Sequence, residues 1–175
     1  MVPLQLLFVL ECNDEDKSDA IYLNEVISHF YVFESENYSQ VSRKSIFLKG
    51  KGKYKNYKDY INNVVSMFSH EGGVTKVIYM IDLDSTDKEY KSGSLNYNIM
   101  DYCNRNNYDL IWMCKNVENV FLGVEPDAIE NKTEAAKQFA RLKNKEFDNI
   151  KLSKTTIELY CSNILIILDK YLKRK

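Results

Sequence analysis

The chain is poor in the residues that build the commonest catalytic and metal sites. It has two histidines, His29 and His70, and four cysteines, at positions 12, 103, 114 and 161, none in a CxxC spacing. Structural zinc needs four closely spaced Cys or His ligands, so the pattern argues against a zinc site. There is no GxSxG elbow, HExxH stretch or P-loop signature, which removes the hydrolase, zinc-protease and nucleotide-cradle readings that rest on those spacings. Cys12 has no histidine within obvious reach to act as its base and reads as structural. Apolar runs are short. None approaches the ~20 residues that span a bilayer. Residues 2–10 are too short for a signal segment with a basic flank and end at Glu11. The expectation is a reduced, cytoplasmic protein with buried thiols and no membrane partner. Charge is nearly balanced, at −1 net, so any nucleic acid must be met by a local patch rather than a global field.

What is present is enough for one domain with a sizeable core. The 175 residues include thirteen Tyr and eight Phe, and a chain of this length buries a core without disulfides or structural metals. Short continuous apolar runs, the mark of strands covered on both faces, predict strands at residues 3–10, 45–48, 75–83 and 108–113. Helical spacing of apolar residues predicts helices at 20–31, 56–69, 92–104, 133–145 and 153–173. Ser18 or Asp19 is a candidate cap for the first, and Gly72-Gly73 a stop for the second. The last helix is strongly apolar, through Ile157, Leu159, Ile164, Leu165, Ile167 and Leu168. Strand and helix alternate through the first 115 residues, which implies an α/β domain: a mostly parallel four-stranded sheet flanked by helices, with a helical C-terminal end. There is no internal repeat or linker, so residues 1–175 read as a single domain.

In such a sheet, sites lie beyond the carboxyl ends of the strands. Glu11 follows the first predicted strand, Asp82 and Asp84 close the third, and Glu118 stands in an acidic turn, residues 116–119, after the fourth. Residues two apart on an extended chain face one way, so Asp82 and Asp84 can point together. Neighbouring carboxylates repel, and a divalent cation such as Mg²⁺ or Mn²⁺, held by one or two carboxylates with water and phosphate oxygens, removes that penalty. Lys49, Lys51 and Lys53, interleaved with Gly50 and Gly52, follow the second strand on the same rim. Glycines admit a phosphate to the backbone and lysines supply point charges, so these three are candidate substrate-binding residues; a solvated loop is the plainer alternative.

The order of these features resembles the Toprim domain of topoisomerases, primases and OLD-type nucleases, and most nearly the small bacterial RloB-type and AriB-type Toprim proteins. The likeness rests on Glu11 followed by Ser18-Asp19-Ala20-Ile21-Tyr22, on the lysine-glycine loop 49–53, on Asp82-Leu83-Asp84, and on Asn116-Val117-Glu118-Asn119. It covers residues 4–123. The glycine that follows the first Glu in those families is Cys12 here. The resemblance implies a Rossmann-like Toprim fold and a metal-dependent nuclease of bacterial anti-phage defence. Glu11, Asp82 and Asp84 would be catalytic, and Glu11, Asp82, Asp84 and Glu118 would ligate Mg²⁺ or Mn²⁺. DNA or RNA would be the substrate, and an ATPase or other defence subunit on a separate chain, or a second copy of this one, the partner.

Two rival readings stand beside it. The acidic rim could be degenerate and the chain a non-catalytic sensor or assembly subunit, using its apolar C-terminal helix to bind a protein partner. Asp82-Leu83-Asp84-Ser85-Thr86 also fits the DxDxT of aspartate-nucleophile phosphatases, although no further acidic pair closes a later strand.

Overall fold

The computed structural model describes residues 1–15, 17–83, 93–123 and 131–175. In chain order the elements are β1 (Leu4–Leu10), α1 (Ser18–Phe30), β2 (Tyr31–Val32), β3 (Val41–Phe47), α2 (Lys58–His70), β4 (Val74–Leu83), α3 (Leu95–Arg105), β5 (Asp109–Cys114), α4 (Val117–Leu122), α5 (Lys132–Arg141), α6 (Asn149–Leu152), α7 (Ile164–Leu168) and β6 (Lys173–Arg174). The main sheet is parallel throughout, in the order β3-β1-β4-β5, while β2 and β6 form a separate antiparallel pair. The protein is thus the α/β, Rossmann-like arrangement expected from its sequence.

The strands alternate their side chains between two helical layers, as the pleat requires. Leu4, Leu6, Phe8 and Leu10 of β1, with Ile78 and Met80 of β4, pack on α1 and on the helices of the C-terminal part. Leu7 and Val9, with Val77, Tyr79, Ile81 and Leu83, pack on α2 and α3 through Ile61, Val64, Ile99 and Cys103. Both faces of β1 are buried, which is why its sequence reads as a continuous apolar run. The same alternation puts Asp82 on the α1 side, in line with Ile78 and Met80.

Chain order creates the position of the site. From β1 the chain passes to β3 on one side, then crosses to β4 on the other. The switch point therefore lies between the carboxyl ends of β1 and β4. β1 ends where Leu10 pairs with Met80, whereas β4 runs on through Asp82 and Leu83, which pair only with β5.

The structure corrects several local expectations. Neither Ser18 nor Asp19 caps α1: the cap position is Lys17, at φ 53° and without a side-chain cap bond, and both residues lie in the first helical turn. The expected turn at 116–119 opens α4, with Asn116 as its cap, accepting from the Asn119 N–H. The helix expected to run to 145 ends at Arg141. The long helix expected at 153–173 does not form. Only Ile164–Leu168 is helical there, and Tyr160 sits at φ 58°. Two causes act together. Thr155, Thr156 and Ile157 are β-branched and weak helix formers. Residues 161–163 are instead drawn to the unpaired edge of β5. The Cys114 N–H donates to the Cys161 carbonyl at 2.9 Å and Ser162 bridges Met113. The Asn163 amide accepts from the Trp112 N–H at 3.0 Å and donates to the Leu110 carbonyl at 2.9 Å. The apolar residues that follow, Ile164, Leu165, Ile167 and Leu168, are buried in the α1-side core. No helix among the described residues is long and apolar enough to cross a membrane.

Candidate functional site

A cleft of about 280 Å³ opens at the switch point, lined by Glu11, Cys12, Asn13, Ser18, Asp19, Lys49, Gly50, Asp82 and Lys132. Its floor is the overhang of β4. Past the end of β1 the Asp82 N–H has no ladder partner, and the Glu11 carboxylate supplies one at 3.0 Å. The Asp82 carbonyl accepts from the Lys51 ammonium at 3.0 Å. Side chains from the ends of two other strands thus grip the Asp82 backbone. Its carboxylate accepts from the Val117 N–H at 3.1 Å, at the start of α4, where the helix dipole favours negative charge.

Two more acids close the cluster. Asp19, buried on the first turn of α1, accepts from the Cys12 N–H at 2.8 Å, so it pins the loop after Glu11 rather than capping its own helix. Glu118, on the first turn of α4, is 0% exposed, and neither of its carboxylate oxygens accepts a hydrogen bond among the described residues. Its charge is met by Lys132, the first residue of α5, with Nζ 3.6 Å from Oε2. A buried carboxylate without donors is costly unless a cation answers it.

The acids are under electrostatic stress. Burial lifts the Asp82 carboxyl well above the usual carboxylate range, and the charges of Asp19, Glu11 and Glu118 lift it further, against Lys132. Burial raises Asp19 in spite of its bonds from Cys12, and raises Glu118 in spite of Lys132. Burial works against the Lys132 charge, but Glu118, Asp82 and Asp19 outweigh it and leave that group's pKa raised. Desolvation also pushes the Cys12 thiol up, with Asp19 adding to it, which disfavours the thiolate form.

Of the residues singled out in the sequence, Glu11, Asp82 and Lys49 line the cleft, and Glu118 lies behind its wall within electrostatic reach of Asp82. Asp84 lies outside the described residues. Lys49 is paired with Asp14 at 2.9 Å. Lys51 faces the β4 backbone, whereas Lys53 is exposed and lines no part of the cleft. Asp19 and Lys132 escaped the sequence reading as site residues. Asp19 stood in the Ser18-Asp19 pair, a candidate helix cap. Lys132 had no signal: α5 brings it in by packing on α1, where the Phe139 and Tyr22 rings stand 5.1 Å apart.

No family model, curated protein or solved structure matches this chain. The chemistry is therefore argued from the geometry. Glu11, Asp19 and Asp82 line the cleft and Glu118 lies behind it; among the described residues Lys132 pairs with Glu118, Lys49 with Asp14, and Lys51 donates to the Asp82 carbonyl. That gathering of acids, with a buried Glu118 whose oxygens accept no hydrogen bond among the described residues, fits a divalent cation. Among the described residues no three carboxylate, thiol or imidazole groups converge closely enough to enclose an ion. An ion here would use one or two of them and fill its shell with water or phosphate oxygens, the usual habit of Mg²⁺. The larger hollow of about 510 Å³ beside Glu25, His29 and Phe147 gathers no comparable cluster, and its Glu25 is already paired with Lys145 at 2.9 Å.

Proposed function

We propose that the protein is a divalent-metal-dependent nuclease that hydrolyses phosphodiesters of DNA or RNA with a Toprim-like site. The observation that carries this reading is the gathering of Glu11, Asp19, Asp82 and Glu118 at the switch point of a parallel sheet, with Lys132 as their facing cation. Asp82 and Glu11 would hold Mg²⁺ or Mn²⁺, with Asp84 joining them as the Toprim resemblance implies. The bound ion would stabilise the attacking and leaving oxygens of the displacement. Glu11, which lines the cleft and is only partly buried, would move a proton at the attacking water. Gly50, at φ 108° with open space around it, and the amine of Lys49 border the cleft where a phosphate backbone would lie. The resemblance also suggests anti-phage defence as the setting, with a partner ATPase on another chain.

The test is Mn²⁺- or Mg²⁺-dependent nicking of plasmid DNA and cleavage of structured RNA. Asp82→Ala, which removes a proposed metal ligand, should abolish the metal-dependent cleavage. Full activity in Asp82→Ala would refute the reading. The phosphatase alternative gains nothing from the fold, because β5 ends in Met113-Cys114 and β6 is Lys173–Arg174, so neither closes on an acidic pair. Absence of metal binding in solution would leave the non-catalytic subunit as the better account.

A further inference from the structure

We propose that Lys132 is a built-in counter-ion that holds the acidic cluster together in the unloaded protein and is displaced when a divalent cation binds, so that it sets the metal affinity of the site. The inference rests on the metal-binding reading above.

Local helix physics gives no reason for a lysine at this position. Lys132 is the first residue of α5, an end where the helix dipole disfavours a cation; Asn131 and Glu134 there follow the usual preference. Its reason lies across the cleft. The ammonium stands 3.6 Å from Oε2 of Glu118, a carboxylate wholly removed from solvent, and it lines the same cleft as Asp19 and Asp82. At 3.6 Å the pair is Coulombic rather than hydrogen-bonded, consistent with neither Glu118 oxygen accepting a bond. The phenol oxygen of Tyr22, one turn along α1 from Asp19, is also buried without a partner and is electrostatically coupled to Glu118 and Asp19. Glu118 and Tyr22 thus leave buried polar atoms without hydrogen-bond partners among the described residues, and Lys132 answers the charge of the first. The lysine side chain is 53% exposed, so it can swing into water at little cost once another cation arrives. Lys132 is a positioning residue: it acts through Glu118, Asp82 and Asp19 and is assigned no contact with substrate.

The experiment is calorimetric titration of the full chain with Mn²⁺, alongside thermal unfolding in chelator and in excess Mn²⁺. Lys132→Met should bind Mn²⁺ about 10–100-fold more tightly than wild type, the scale on which groups beside ligands tune a metal. It should melt lower than wild type in chelator and recover in Mn²⁺. Lys132→Arg, which keeps the charge, should stay close to wild type. Because Lys132→Met leaves Glu118 uncompensated, the comparison is repeated in a Glu118→Gln background, where the added Lys132→Met should again tighten binding. Equal or weaker Mn²⁺ binding on removal of Lys132, with wild-type binding intact, overturns the counter-ion role and leaves the metal reading standing. No Mn²⁺ binding by any of these chains overturns both.

Discussion

At the scale of single residues, the pair Glu118 and Lys132 is asymmetric. Glu118 is wholly buried, whereas half of the Lys132 side chain is in water. Removing the acid frees a lysine that can solvate itself, so near neutral pH Glu118→Gln should cost no more than about 1 kcal/mol, as for exposed pairs. Removing the lysine strands a buried charge, and Lys132→Met should cost on the order of 3 kcal/mol in chelator. Urea unfolding measures both, and equal losses would contradict the asymmetry. The same residues set a pH dependence. The carboxyls of Asp82, Asp19 and Glu118 are all raised in the folded state, chiefly by burial. Protonation is thus easier folded than unfolded. The stability this brings is complete below about pH 4, the ordinary carboxylate range, and is lost as pH rises through the raised values. The melting temperature in chelator should fall from mildly acid to neutral pH, and Asp82→Asn should flatten that slope. A rise over the same interval would show that the cluster is not desolvated as described. At this scale the sequence was only partly legible. Glu11 and Asp82 could be found because strand ends are visible as the ends of apolar runs. Asp19 looked like a helix cap, since a Ser-Asp pair before an apolar helix serves either role, and only the fold shows its carboxylate turned to the Cys12 amide.

At the scale of elements, the decisive contact is made by Asn163. Its amide accepts from Trp112 and donates to Leu110, doing for the edge of β5 what another strand would do. Asn163→Ala leaves that donor and acceptor unpaired in a half-buried place and should destabilise the protein by about 1–3 kcal/mol. Urea unfolding followed by Trp112 fluorescence checks this, and an unchanged midpoint would mean that the edge is held by other means. This contact also explains why residues 153–173 misled the sequence reading. Their apolar spacing suits a helix, but the hydrogen-bond demand that overrides it comes from a strand some fifty residues away and leaves no local trace. The four main strands carried their own signal, because apolar runs covered on both faces scarcely depend on context.

At the scale of the whole molecule, the parallel sheet and its acidic rim were legible together, since strand order and strand ends determine both. The closing of the cleft by α5 was not, because it depends on how the C-terminal third folds back. If the cluster binds a metal only when folded, the effect is global. Mn²⁺ at about a hundred times its Kd should add about 2.7 kcal/mol to the unfolding free energy of the wild-type chain. Asp82→Asn should gain almost nothing. Denaturant titration with and without Mn²⁺ separates these outcomes.

The two rims of the sheet differ in kind. The Cys161–Asn163 segment seals β5, whereas β3 has no strand beyond it among the described residues and exposes Arg43, Lys44 and Ser45. Of the two edges of the main sheet among the described residues, β3 is therefore the one open to backbone pairing, and there like charges would oppose a second copy. Strand addition at that sheet would then stop at two copies, since each would offer the next a sealed flank.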